Sequence, residues 1–125
     1  MTDWTDSELS SIGGAEELQL SSRRGDGTLR PYVTIWVVRA GDDIVVRSAY
    51  GVDNPWYRRA VASGSGRIRA GGVEKDVTFG RVEPDAHPGI DAAYHAKYDR
   101  YGPGIVNTVV GEKAVSSTLR LLPAD

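Results

Sequence analysis

At 125 residues the chain suits one domain that buries roughly two-thirds of the surface its unfolded form exposes, so residues 1–125 read as a single unit. It contains no cysteine, which excludes disulfides, thiolate nucleophiles and cysteine-rich metal centres. Fifteen Lys and Arg against 17 Asp and Glu leave a formal charge of -2, so no global field draws the protein to nucleic acid.

The N-terminus carries Asp3, Asp6 and Glu8 where an export signal needs positive charge and then an apolar run, and no stretch approaches the ~20 apolar residues of a membrane span. A soluble, cytoplasmic protein is expected. Thr5-Asp6-Ser7-Glu8 has capping-box spacing, and the helix it starts should stop at Gly13-Gly14. Leu18 and Leu20 alternate with polar neighbours from Glu17 to Ser22, as in a half-buried strand. Arg24-Gly25-Asp26-Gly27 then turns the chain. The Arg-Gly-Asp within it is an adhesion motif only in an extracellular setting.

Large side chains fall on both parities from Tyr32 to Val38, which predicts a central strand over Pro31–Ala40 that is buried on both faces. Gly41-Asp42-Asp43 turns it into a returning strand, Ile44 to Ser48. Asn54-Pro55-Trp56 reads as N-cap, N1 proline and first turn of a helix that ends at Gly64. Arg67 to Ala70, Gly71-Gly72, and Val73 to Val82 make a second hairpin. From His87-Pro88, the residues Ile90, Ala93, Tyr94, Lys97, Tyr98 and Tyr101 follow one helical face up to Gly102-Pro103-Gly104. Thr118 to Leu121 alternates again as a last strand. The expectation is therefore a mainly β chain with six strands and three short peripheral helices. Closure into a small barrel removes the edges those strands would otherwise expose.

Several catalytic patterns are missing. Gly64-Ser65-Gly66 with Gly71 has the wrong spacing for a dinucleotide fingerprint and follows a helix instead of a strand. His87 and His95 lack the spacing of zinc ligands on one helical face, so no metal is expected. No serine sits in a nucleophile elbow. The tyrosines 94, 98 and 101 read as core packing with hydroxyls at the surface. What remains is basic. Arg greatly outnumbers Lys, and Arg30, Arg47, Ser48 and Arg58 sit where one barrel rim can gather them into a phosphate site. Trp36, Trp56 and Tyr57 supply flat apolar surface for a ring system beside it.

Arg24-x-x-Gly27, Arg30, Ile35-Trp36-Val37-Val38, Val46-Arg47-Ser48, Gly51 and Pro55-Trp56-Tyr57 together resemble the deazaflavin-dependent nitroreductase group of the flavin-reductase-like split barrels. Over nearly its full length, including Ile90 to Tyr98, the chain is also similar to a bacterial family defined as a domain of unknown function. The resemblance implies a six-stranded split β-barrel whose cofactor set is Arg30, Thr34, Trp36, Arg47, Ser48, Gly51, Trp56, Tyr57 and Arg58. It departs from the deazaflavin pattern at Arg59 and in the loop Gly51 to Asn54, which lacks a second glycine. FMN or a deazaflavin is the implied cofactor, and a homodimer the implied assembly. Hydride chemistry would then belong to the cofactor, so no acid or base need appear in the sequence. Two functions stay open: a reductase of a small organic substrate, or a non-catalytic module that binds a phosphate-bearing small molecule or a protein partner.

Overall fold

The structure is a computed structural model that describes residues 3–49, 51–110 and 112–124. The Thr5 hydroxyl accepts from the Glu8 amide at 3.1 Å and the Glu8 carboxylate accepts from the Thr5 amide at 2.9 Å. This is the expected capping box, and it starts α1 (Asp6–Gly13). Leu9 and Ile12 of α1 face the core, while Trp4 ahead of it donates its indole N–H to the Leu121 carbonyl at 2.9 Å.

Seven strands follow: β1 (Leu18–Ser22), β2 (Val33–Ile35), β3 (Val38–Ala40), β4 (Asp43–Arg47), β5 (Ser65–Ala70), β6 (Val73–Gly80) and β7 (Thr118–Pro123). All neighbours are antiparallel, in the order β2-β1-β5-β6-β7-β4-β3. The two end strands are consecutive in the chain, and three residue steps reach at most roughly 11 Å. The sheet must therefore curl until its ends meet at Trp36-Val37, which makes a split β-barrel with short helices around it.

The expected count of six strands is corrected to seven, because the segment read as one central strand breaks at Trp36-Val37 into β2 and β3. Each piece pairs on one side only. The two-sided apolar pattern has another cause. Val33, Ile35 and Val37 join the barrel core, whereas Trp36, Val38 and Ala40 pack in a second cluster beneath a helix. The strand buried on both faces within the sheet is β4, whose Ile44 and Val46 point into the barrel while Val45 points into that second cluster.

The helix α2 (Pro55–Ser63) begins at Asn54, has Pro55 in its first turn and ends at Gly64, whose φ of 76° is the left-handed conformation that favours glycine. The covering helix is α3 (His87–Tyr98), with Ile90, Tyr94 and Tyr98 buried against Val38 and Val45. It stops sooner than its periodicity suggests. Tyr101 falls in a separate 3-10 turn and is 47% exposed, so it leaves the buried face. Beyond the three expected helices are the short α4 (Pro103–Val106) and α5 (Glu112–Ser116).

Two polar contacts hold α3 to the sheet. At the strand break, where the ladder is interrupted, the Tyr98 hydroxyl accepts from the Val37 amide at 3.1 Å and shares its proton between the carbonyls of Glu16 (2.8 Å) and Val37 (3.0 Å). Lys97 donates to the same Val37 carbonyl at 2.6 Å, and its burial pulls the ammonium pKa down to about 8. The second contact is Arg47, only 2% exposed. Its guanidinium donates to Thr118 Oγ1 (2.9 Å), the Val109 carbonyl (3.0 Å), the Asp91 carboxylate and His87 Nδ1 (3.2 Å). One side chain thus joins β4, β7, α3 and the segment after α4. Since an arginine only donates, His87 Nδ1 must accept, and the ring is the neutral tautomer with its proton on Nε2. Burial, and then the Arg47 charge, lower the His87 pKa, against a smaller opposing pull from Asp91.

Replacing Tyr98 with Phe leaves the buried Val37 amide without its acceptor, which should cost about 1–3 kcal/mol in urea unfolding with unchanged far-UV circular dichroism. An unchanged midpoint would show that the strand break does not depend on this hydroxyl. A pH test follows from His87. Its folded pKa lies below the value of 6.5 it has when unperturbed, so the unfolded chain binds more protons as pH falls below about 6.5 and the contribution to stability is lost there. Between pH 7.5 and 5.5 the wild-type urea midpoint should fall more than that of His87→Gln, whose amide oxygen still accepts from Arg47. Parallel curves would contradict the assignment.

Candidate functional site

The β1–β2 connection is shaped by its own polar groups. Asp26 accepts from the Thr28 amide at 3.0 Å and hydroxyl at 2.7 Å, Gly27 sits at φ 86°, and Arg23 and Arg24 donate to the carbonyls of Gly27 (2.9 Å) and Leu29 (3.0 Å). Side chains as well as backbone anchor the loop to the sheet. Arg23 pairs with Asp76 on β6 at 3.1 Å, and the Ser21 hydroxyl on β1 donates to the Arg30 carbonyl at 2.5 Å.

Between this loop and α2 lies an open cavity of about 740 Å³, lined by Arg23, Arg24, Arg30, Arg58 and Arg59 with Ser63 and Ser65, and by no carboxylate among the described residues. The arginines divide into two kinds. Those at 23 and 24 hold the loop, whereas the guanidinium groups of Arg30, Arg58 and Arg59 have no hydrogen-bond or ion-pair partner among the described residues. Arg58 and Arg59 also stand early in α2, whose first turn has no acidic residue. The positive end of the helix dipole repels cations there. An anion in this cavity relieves both the mutual repulsion and the dipole.

A second cavity of about 350 Å³ lies at the strand break, walled by Thr34, Trp36, Asn54, Trp56, Ile105 and the inner face of Arg47. Consecutive residues of α2 serve the two cavities, Pro55 the first and Trp56 the second. One face of Trp36 is already covered by the Tyr98 ring, stacked with centroids 3.9 Å apart. A third cavity, about 530 Å³, takes Tyr57, whose hydroxyl donates to the Ser116 carbonyl at 3.1 Å.

The residues singled out in the sequence therefore fall in different places. Arg30 and Arg58 share the arginine cavity, Thr34, Trp36, Arg47 and Trp56 share the second, and Tyr57 is in the third. Ser48 is sealed, its hydroxyl turned to the Ala49 carbonyl at 3.3 Å, and the buried Gly51, at φ 93°, closes a turn back to the Ser48 carbonyl at 3.1 Å. The single rim cluster of Arg30, Arg47, Ser48 and Arg58 does not form, because the donors of Arg47 are satisfied inside the protein. Arg23, Arg24 and Arg59 were missed. The doublets Arg23-Arg24, at the start of the β1–β2 turn, and Arg58-Arg59, on α2, were the available signal. Among the described residues no group of three or more His, Asp or Glu is placed to hold a metal ion, and no helix is long and apolar enough to cross a membrane.

No curated protein matches the chain. Solved structures do. A putative pyridoxamine 5'-phosphate oxidase from Listeria innocua superposes with a TM-score of 0.64 at 14% identity, covering 96% of this chain and 93% of that one. An FAD-binding protein from Mesorhizobium loti gives 0.58 at 15% identity over 99% and 93% of the two chains. A protein named F420 reductase gives 0.58 at 15% identity over 98% and 97%. At such identities the likeness is one of fold, a split β-barrel. Residues 8–121 match the family described as "Uncharacterized protein conserved in bacteria (DUF2255)", and the chain belongs to that family.

Proposed function

We propose that this protein binds a flavin-type cofactor, FMN or a deazaflavin, with its phosphate in the arginine cavity and its ring system toward Trp56 and Trp36. The observation that supports this most is the group of three guanidinium groups, from Arg30, Arg58 and Arg59, with no partner and no lining carboxylate among the described residues. Planar, permanently charged forks suit phosphate oxygens. The fold points the same way, since the structures it resembles include one named as FAD-binding and one as an F420 reductase.

Such a cofactor would supply hydride transfer, and the reading carries an oxidoreductase of a small organic substrate in the cytoplasm. The protein's part is to bind and orient. The arginines fix the phosphate, α2 sets Trp56 against the ring, and the apolar walls at Ile35 and Val33 limit water. A second copy of the chain belongs to this reading: Ile105, 49% exposed, stands at the tryptophan cavity where a two-fold partner would cover it. The stacking of Tyr98 on Trp36 favours a second reading, a non-catalytic module for a phosphate-bearing small molecule, because it leaves the ring less indole surface.

Each guanidinium on a phosphate contributes on the order of 1.5–3 kcal/mol, and 1.4 kcal/mol is a factor of ten. Arg58→Ala and Arg59→Ala should therefore each weaken binding of FMN or a deazaflavin by roughly ten- to a hundredfold in a fluorescence titration. Arg100→Ala, which removes an exposed partner of Glu16, should leave it unchanged. Equal affinities across these proteins, or no saturable binding to wild type, would falsify the proposal. Saturable binding without reduction of the bound cofactor by a nicotinamide donor selects the non-catalytic reading.

A further inference from the structure

The third cavity lies against Ala60 and Val61 of α2 and differs in chemistry from the arginine cavity. Val61, Phe79, Val82, Val115 and Leu119 make the apolar part of its wall, and Tyr57, Arg81, His87, Ser116 and Thr118 the polar part. Val61 is 51% exposed, although valine in the middle of a helix is normally turned inward. Two of the polar groups, Arg81 and His87, are nitrogen donors. Arg81, on the segment after β6, has no ion-pair partner among the described residues. His87 stands at the start of α3, and because its Nδ1 accepts from the buried Arg47 at 3.2 Å, the edge it offers is an Nε2–H donor on a neutral ring.

We infer that this cavity is a second ligand site, distinct from the arginine cavity, and that it takes a monocarboxylate with an apolar aromatic or short aliphatic body. The reasons are volume, charge and wall. About 530 Å³ lies within the range of small-molecule sites, which combine apolar walls with a few placed polar groups. Arg81 supplies one positive charge and His87 one neutral donor, a match for a single carboxylate. A phosphate dianion is better served by the three free arginines of the other cavity. The Tyr57 hydroxyl donates to the Ser116 carbonyl, so its proton is not available to the ligand. The site rests on residues that the cofactor reading does not use, and it stands or falls separately.

The probe is 4-fluorophenylacetate, followed by its fluorine NMR signal on titration with the full-length protein. Saturable broadening is expected with wild type and with an Arg58→Ala/Arg59→Ala double variant. Arg81→Ala should weaken binding at least about tenfold, through loss of a charge-assisted hydrogen bond. Val61→Glu, which sets a like charge in the wall at an exposed position that folding does not need, should abolish it. Unlabelled phenylacetate or hexanoate should displace the probe, and whichever does so at lower concentration identifies the body. Nitrogen NMR of the His87 ring should show the Nε2–H tautomer at pH 7 and a shift on probe binding. Unsaturable broadening, binding unchanged in Arg81→Ala, loss in the double variant, or displacement by inorganic phosphate at equal concentration would each overturn the inference.

Discussion

The Arg47 guanidinium has no exposed surface, and four of its five N–H groups are bonded to Thr118, Asp91, the Val109 carbonyl and His87. A charge in that position is tolerated only because Asp91, His87, Thr118 and the Val109 carbonyl surround it. Losing one partner would leave the others buried and uncompensated. The consequence reaches beyond local packing. Asp91 and His87 lie on α3, Val109 follows α4 and Thr118 begins β7, so one side chain ties α3 and the segment after α4 to β4 beside the β4–β7 ladder. Without it α3 would rest on the sheet by the packing of Ile90, Tyr94 and Tyr98 and by the bonds of Tyr98 and Lys97 to Val37.

This constraint also sorts the arginines. Arg47 lines the tryptophan cavity, yet its hydrogen bonds run inward, which leaves ligand binding to Arg30, Arg58 and Arg59. It holds His87 neutral as well, and so gives the third cavity a donor without a charge. Around α2 three cavities of different character follow: one cationic, one aromatic, one of mixed lining with a single arginine. The helix serves all three because successive residues, Pro55, Trp56 and Tyr57, point in three directions, as side chains about 100° apart must.

Much of this was legible where the signal is local. The capping box at Thr5, the Asn54-Pro55 start and Gly64 stop of α2, and the Gly41 and Gly71-Gly72 turns depend on residues a few positions apart, and each formed where expected. The break in the strand through Trp36-Val37 was not legible. Apolar residues on both parities signify burial on both sides, but not which layer covers each side or whether the ladder continues. The same limit applied to the site. Arg47 and Arg58 are chemically identical in a sequence, and what separates a structural arginine from a free one is Asp91, 44 positions away on another element. Tyr101 shows the reverse error, since its helical spacing was right but α3 ended three residues before it.

The most direct test of the central claim is a crystal structure of the protein grown with flavin mononucleotide. The phosphate should lie within hydrogen-bonding distance of Arg30, Arg58 and Arg59, with the isoalloxazine ring beside Trp56 and the Arg47–Asp91 pair intact. A phosphate held by Arg47 after release of Asp91, or a fully bound flavin that leaves the arginine cavity empty, would contradict the account.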